Sequence, residues 1–157
     1  MVSERIRRLD RGGWSLLELL VVVAIIGTLA AIAIPLFASY WRSAGVRAGT
    51  QEMRTALMQA KQLAITSRQN VCVQAVPTGY QIRQPGCGGA NFWTGIRWVG
   101  VAYTFRLQNN VAVGLLAGPP VFTPLGAAAP AGQFQVTGPS GNFLTITVSA
   151  AGRITTP

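Results

Sequence analysis

The chain has 157 residues, with 13 Lys or Arg against 4 Asp or Glu, no His, and a net charge of +9 at pH 7. This length is enough for one domain with a hydrophobic core. Without His there is no Ser-His-Asp triad, and the two Cys alone cannot complete a zinc site. We therefore expect a protein that is not an enzyme and that has no catalytic residues, no metal and no cofactor.

A long apolar segment follows a basic N-terminus. No charged residue occurs from Leu19 to Trp41. At about 1.5 Å per helical residue, this run crosses a hydrocarbon core roughly 30 Å thick. The arginines between Arg5 and Arg11 favour a cytoplasmic N-terminus and a translocated C-terminal part. The sequence predicts a single-pass membrane protein with one soluble domain.

Glu18 stands at the start of the apolar run. An ionised carboxylate in the bilayer costs about 2.5–3.5 kcal/mol on insertion scales, so such a residue is usually kept for a partner. The alternative is a capping box, in which Ser15 and Glu18 bind the first backbone N–H groups of the helix. Pro35 lies further along and removes one backbone donor, so we expect a kinked, broken helix there.

The segment Gly13-Trp14-Ser15-Leu16-Leu17-Glu18 resembles the class III signal of type IV prepilins and type II secretion pseudopilins. The resemblance implies that a prepilin peptidase cleaves after Gly13 and methylates the new terminal amine of Trp14, which stands where the family usually has Phe. Glu18 and Pro35 fall on the family's matching positions. The resemblance implies that Glu18 pairs with the terminal amine of a neighbouring subunit during assembly.

The pattern beyond Pro35 is amphipathic. Apolar residues recur at helical spacing on one face, which predicts packing against a sheet. We predict one helix from about Ser15 to Ser67, weakened locally by Gly45 and Gly49. The residues of the predicted stripe are Val46, Met53, Leu57, Ala60 and Ala64.

Short β-like runs separated by Gly- and Pro-rich turns begin at Val71. The turn Pro77-Thr78-Gly79 predicts a hairpin, and Gly138–Asn142 separates the last two runs. A long helix followed by strands predicts an α+β, pilin-like fold, in which the N-terminal helix packs on a C-terminal antiparallel sheet. The predicted strands are Val71–Val76, Tyr80–Gln84, Ile96–Phe105, Val111–Leu116, Phe134–Thr137 and Phe143–Ser149.

The two cysteines, Cys72 and Cys87, are too far apart for a CxxC redox motif. In an oxidising extracytoplasmic space they form one disulfide that closes a short loop. The alternative is two separate thiols, one of them buried in a strand. The disulfide is favoured if the domain is exported.

The soluble part has Glu52 as its only carboxylate, which predicts attraction to polyanions such as nucleic acid or anionic lipid. A solubilising surface, or one matched to an acidic partner protein, is the alternative. A basic surface for DNA has five candidate residues: Arg68, Arg83, Arg97, Arg106 and Arg153.

Several segments beyond the apolar run resemble the GspH/FimT group of minor pseudopilins and pilins. DNA-binding members of that group have a C-terminal Gly-Arg-x-Arg motif, of which Gly152 and Arg153 are present and Thr155 takes the place of the second Arg. The segments that carry the resemblance are Ala60–Ile65, Val71–Val73, Phe122–Gly126 and Thr147–Ile154.

The resemblance implies a minor subunit of a type II secretion pseudopilus or a type IV pilus, or alternatively a FimT-like DNA-binding minor pilin for DNA uptake. Its implied partners are other pilin subunits, the prepilin peptidase, the inner-membrane assembly platform, the membrane and DNA. The implied location is the bacterial inner membrane, with a periplasmic head. The expected regions are a cleaved leader 1–13, an assembly helix 14–38, an amphipathic helix 39–70 and a β-rich head 71–157.

Overall fold

A computed structural model describes residues 15–95 and 103–156 of the protein. Gly13, Trp14 and Arg97 lie outside the described residues, as does the predicted leader. The chain divides into two compact units between Ala38 and Ser39.

One helix, α1, extends over Leu16–Ser67. Ser15 precedes it, and the Ser15 carbonyl accepts the first helical hydrogen bond from Leu19 N at 3.2 Å. The helix passes through Pro35 without interruption, so the predicted break is wrong. A proline removes one backbone hydrogen bond, and the many good helix formers around Pro35 keep the chain helical despite that loss.

The first unit is the apolar N-terminal part of α1. Every side chain from 16 to 38 is exposed, apart from the partly exposed Ala30 and Ala38. An 18-residue window reaches a mean hydropathy of 2.8, and within the described residues this helix is long and apolar enough to cross a membrane.

The second unit contains eight strands in two four-stranded antiparallel sheets. The first sheet has the order β3-β2-β1-β5 and the second the order β4-β6-β7-β8. Five of the strands have six residues and three have only two. The strands are β1 (Val71–Val76), β2 (Gly79–Gln84), β3 (Asn91–Phe92), β4 (Ala112–Ala117), β5 (Val121–Phe122), β6 (Gly132–Thr137), β7 (Phe143–Val148) and β8 (Ile154–Thr155).

The predicted α+β class and the hairpin between β1 and β2 are confirmed. The predicted strand Ile96–Phe105 is wrong where it can be compared, at residues 103–105. There Phe105 exchanges backbone hydrogen bonds with Tyr80 as an isolated bridge, at 2.9 and 3.0 Å. The rest of that predicted strand lies outside the described residues.

The core lies between α1 and the strands. All five residues of the predicted helical stripe are buried, so that prediction is confirmed. Met53 and Leu57 are fully buried among side chains from both sheets, including Val73, Phe134 and Ile146. The helix therefore supplies one wall of the hydrophobic core.

The two sheets differ in their charge. Residues 107–152 contain no charged side chain, and this stretch supplies β4, β6 and β7 of the second sheet and β5 of the first. The described charges of the second unit lie on α1 and at Arg68, Arg83, Arg106 and Arg153. The outer face of the second sheet is consequently uncharged.

Candidate functional site

Glu18 lies in the first turn of α1 and is exposed among apolar side chains. A carboxylate at this end of a helix interacts favourably with the helix dipole. The sequence places no other charge between Glu18 and Arg42. Residues 15–38, the described part of the first unit, therefore present one anion on an exposed apolar helix, a surface suited to lipid or to other helices.

Cys72 and Cys87 form a disulfide, with their Cα atoms 4.9 Å apart. Cys72 is buried in β1, whereas Cys87 lies in the loop between β2 and β3. The base of the same loop is held by a hydrogen bond from Gly86 N to Asn70 O at 2.7 Å. The disulfide spans 15 residues along the chain. By restricting the unfolded chain, a loop of this length stabilises the folded state by about 3 kcal/mol.

Arg83 makes its contacts within its own chain. Its guanidinium carbon lies 4.7 Å from the centre of the Phe92 ring, a cation–π distance. Its Nη2 donates to Gln81 Oε1 at 3.1 Å and its Nη1 to the Cys87 carbonyl at 3.5 Å. This arginine therefore links β2, β3 and the disulfide loop through contacts within its own chain.

The other described candidate arginines lie on separate elements. Arg68 follows α1 in a left-handed conformation, with φ at 53°. Arg106 is exposed and lines a groove beside the helix, together with Glu52. Arg153 is exposed in the turn between β7 and β8, where its backbone N–H donates to Ser149 Oγ at 3.2 Å.

The turn that carries Arg153 is fixed to the helix by Lys61. Lys61 Nζ donates to the Gly152 carbonyl at 2.9 Å in a partly buried position. Gly152 has φ at +71°, and a Cβ there would collide with the Gly126 carbonyl oxygen. A hydrogen bond from Ala128 N to Ala150 O at 2.9 Å joins the same two segments.

Sequence reasoning missed this contact. Lys61 and Gly152 are 91 residues apart, so no local pattern links them. The only available signal was that Gly126 and Gly152 both belong to segments that carried the family resemblance. The structure brings these two segments together and shows that glycine is required where they meet.

Glu52 also has a structural contact. Its Oε2 accepts a hydrogen bond from Gln108 N at 3.1 Å, which fixes the start of the loop before β4. Within the described residues, no group of three or more His, Cys, Asp or Glu side chains could hold a metal ion.

The comparisons with known proteins fit this architecture. The model of the family described as type II transport protein GspH matches residues 49–152, which include the buried half of α1 and all strands except β8. The chain belongs to the GspH family. Its similarity to type II secretion minor pseudopilins and type IV pilins is thereby confirmed. None of the curated proteins matches the sequence.

Two solved structures show the same fold as this GspH-family chain. The type IV minor pilin FimU of Pseudomonas aeruginosa is 16% identical, with 75% of this chain and 92% of FimU covered and a TM-score of 0.50. EpsH, a minor pseudopilin from the Type 2 Secretion System of Vibrio cholerae, is 12% identical, with 71% and 95% covered and a TM-score of 0.52. Family and fold support a role in pilus or pseudopilus assembly.

Proposed function

We propose that this chain is a minor subunit of a type II secretion pseudopilus or a type IV pilus, assembled from the bacterial inner membrane. The observation that carries the proposal is the described part of the first unit, residues 15–38, which contain an exposed apolar helix with Glu18 as the one charged side chain. An uncovered apolar surface of this size is stable only in lipid or against similar helices. The packed second unit then forms the periplasmic head.

The proposed processing creates the partner for Glu18. Cleavage by the prepilin peptidase after Gly13 leaves a methylated, cationic amine on Trp14. In the assembled fibre, the Glu18 carboxylate of one subunit pairs with the Trp14 amine of its neighbour. Because each charge is costly in hydrocarbon, their pairing favours association and sets the axial offset between helices. Pro35 leaves one carbonyl of α1 without its helical donor, a place where the helix can bend as subunits pack.

Replacing Glu18 tests the proposal in cells that make the filament. Glu18→Ala should still insert and carry methyl-Trp14, as read by mass spectrometry of the membrane fraction. Its incorporation into filaments should fall about tenfold, which corresponds to a loss of only about 1.4 kcal/mol at the interface. Ser15→Ala is the matched control, since it removes the other half of a capping box.

The two interpretations of Glu18, pairing between subunits and capping of its own helix, predict different results for these variants. If Glu18 only caps the helix, Ser15→Ala and Glu18→Ala should weaken the helix by similar small amounts, and both should enter filaments. If Glu18→Ala is incorporated as well as the parent, the pairing proposal fails. An intact leader on the parent protein would refute the processing step by itself.

The proposal does not extend to DNA. Arg83 is engaged within the chain, and Thr155 stands where DNA-binding members have their second arginine. A gel-shift titration with the detergent-solubilised chain checks this point. Retardation at low salt that weakens steeply as salt rises would establish DNA binding and reverse our view.

A further inference from the structure

A cleft opens on the second unit, beside the part of α1 that directly follows the apolar run. Its volume is about 900 Å³. One wall is the helix, with Trp41, Arg42 and Gly45, and the other is formed by the loops before β4 and before β7. Asn109, Pro139 and Ser140 line it from these loops.

The loops are held close to the helix. Asn142 Nδ2 donates to the Arg42 carbonyl at 3.4 Å. A Cβ on Gly45 would lie 3.6 Å from the Asn109 Cβ, an ordinary van der Waals distance, so this loop lies close to the helix at Gly45. The helix and these two loops thus lie side by side and form the two walls of the cleft.

The position of the cleft along the chain matches the surface of a bilayer. From Leu16 to Trp41 the helix rises about 38 Å, at about 1.5 Å per residue. A hydrocarbon core is roughly 30 Å thick, so Trp41 and Arg42 reach the headgroup layer when the apolar run spans the membrane. Tyr40 and Trp41 are 69% and 70% exposed, and aromatic residues of this kind concentrate at membrane interfaces.

The charge around the cleft is positive. Arg42 is exposed at its edge, and no acidic residue lines it. The nearest carboxylate along the helix is Glu52, which binds the backbone N–H of Gln108. Arg47, further along α1, is also exposed but does not line the cleft. An anion that enters the cleft therefore meets a guanidinium, an amide and a hydroxyl, with no repelling charge.

From these observations we infer that the cleft binds the headgroup of an anionic phospholipid such as phosphatidylglycerol. Arg42 binds the phosphodiester, since a guanidinium matches phosphate oxygens with two parallel hydrogen bonds. Asn109 and Ser140 bind the remaining polar atoms of the headgroup, while Trp41 lies at the boundary with the acyl chains. The inference rests on membrane insertion as proposed above. Its consequence is that the head is seated on the lipid surface before extraction into a fibre.

The test uses the full chain with a photoreactive benzoylphenylalanine in place of Ser140. The protein is reconstituted into vesicles with equal parts of phosphatidylglycerol and phosphatidylcholine, and the lipid adducts are counted by mass spectrometry. Phosphatidylglycerol adducts should exceed phosphatidylcholine adducts about fivefold, which is the preference expected from one basic side chain that interacts with an anionic headgroup. Arg42→Gln should remove the preference, and the matched control Arg47→Gln should keep it.

Other outcomes overturn the inference. Equal adducts in the parent, or a preference that survives Arg42→Gln, would exclude recognition by Arg42. A preference lost to inorganic phosphate, but not to chloride at the same ionic strength, would assign the site to free phosphate. Adducts to a second copy of the chain in place of lipid would assign the cleft to subunit packing.

Two further measurements keep the conclusions separate. Alkaline carbonate extraction of the same vesicles reports insertion, so failure to insert counts against the proposed function. Insertion without a lipid preference counts only against the cleft. Native mass spectrometry of the unmodified chain should show more phosphatidylglycerol retained than in Arg42→Gln, which removes any effect of the bulky probe.

Discussion

The two halves of α1 have the same secondary structure but opposite surroundings. Leu29, in the first unit, is 63% exposed, whereas Leu57, in the second, is 0% exposed beneath both sheets. Both halves are helical because helix formation is decided by local hydrogen bonds and side-chain propensity. What each half packs against is decided elsewhere. The half of α1 in the second unit packs against the sheets of its own chain, whereas the apolar half in the first unit needs lipid or other subunits to cover it.

The largest contrast is expected from truncating one leucine in each half. Leu57→Ala should lower the free energy of unfolding of the head by about 2–5 kcal/mol, because it leaves a cavity in a closed core. Leu29→Ala should leave that free energy unchanged. Denaturant titration of the detergent-solubilised chain, followed by near-ultraviolet circular dichroism, measures both. An equal loss in the two variants would contradict the division between the halves.

A second pair of variants replaces one glycine in each half of α1. A Cβ on Gly49 would lie 2.5 Å from Val111 Cγ2, whereas nothing lies within 4 Å of the same atom on Gly27. Gly49→Ala should therefore destabilise the head by about 1–3 kcal/mol through overpacking. Gly27→Ala should leave the head unchanged and raise the helix propensity of the apolar half by up to about 1 kcal/mol. Thermal unfolding of both variants should show a lower midpoint for Gly49→Ala alone.

A smaller effect is expected at Lys61. Lys61→Met keeps the apolar stem of the side chain but removes the hydrogen bond to Gly152, for an expected loss of about 1 kcal/mol. Arg47→Met is the control, because an exposed side chain should change stability by less than about 0.5 kcal/mol. Amide hydrogen exchange should also rise in the turn before β8 in the Lys61 variant. Unchanged exchange there would show that Lys61 does not hold the turn.

Local patterns were enough to predict most of the fold. The helix was expected over Ser15–Ser67 and is found over Leu16–Ser67. The five six-residue strands were anticipated with small shifts at their ends, because each lies in a short β-like run bounded by turn residues. The two-residue strands β3, β5 and β8 were missed, since two residues are too few to show a period of two.

The contacts of the candidate sites were less predictable. Nothing near Arg83 in the sequence indicates that its guanidinium packs on Phe92, and nothing near Lys61 indicates a bond to Gly152. Both contacts depend on which elements the tertiary fold brings together. The cleft beside Trp41 was missed for the same reason, since its walls come from segments far apart in the sequence, at Trp41, Asn109 and Ser140. The roles of Gly13, Trp14 and Glu18 in processing and assembly remain predictions.

The uncharged second sheet has a practical consequence for biochemical work on the assembled machine. Dissolved salt weakens attraction between ions but has little effect on hydrogen bonds or apolar burial. Any subunit that docks on this face should stay bound through high-salt washes, whereas partners of the arginine-bearing surfaces should be released. Fractionating the complex by ionic strength would therefore sort its neighbours according to the side of the head they contact.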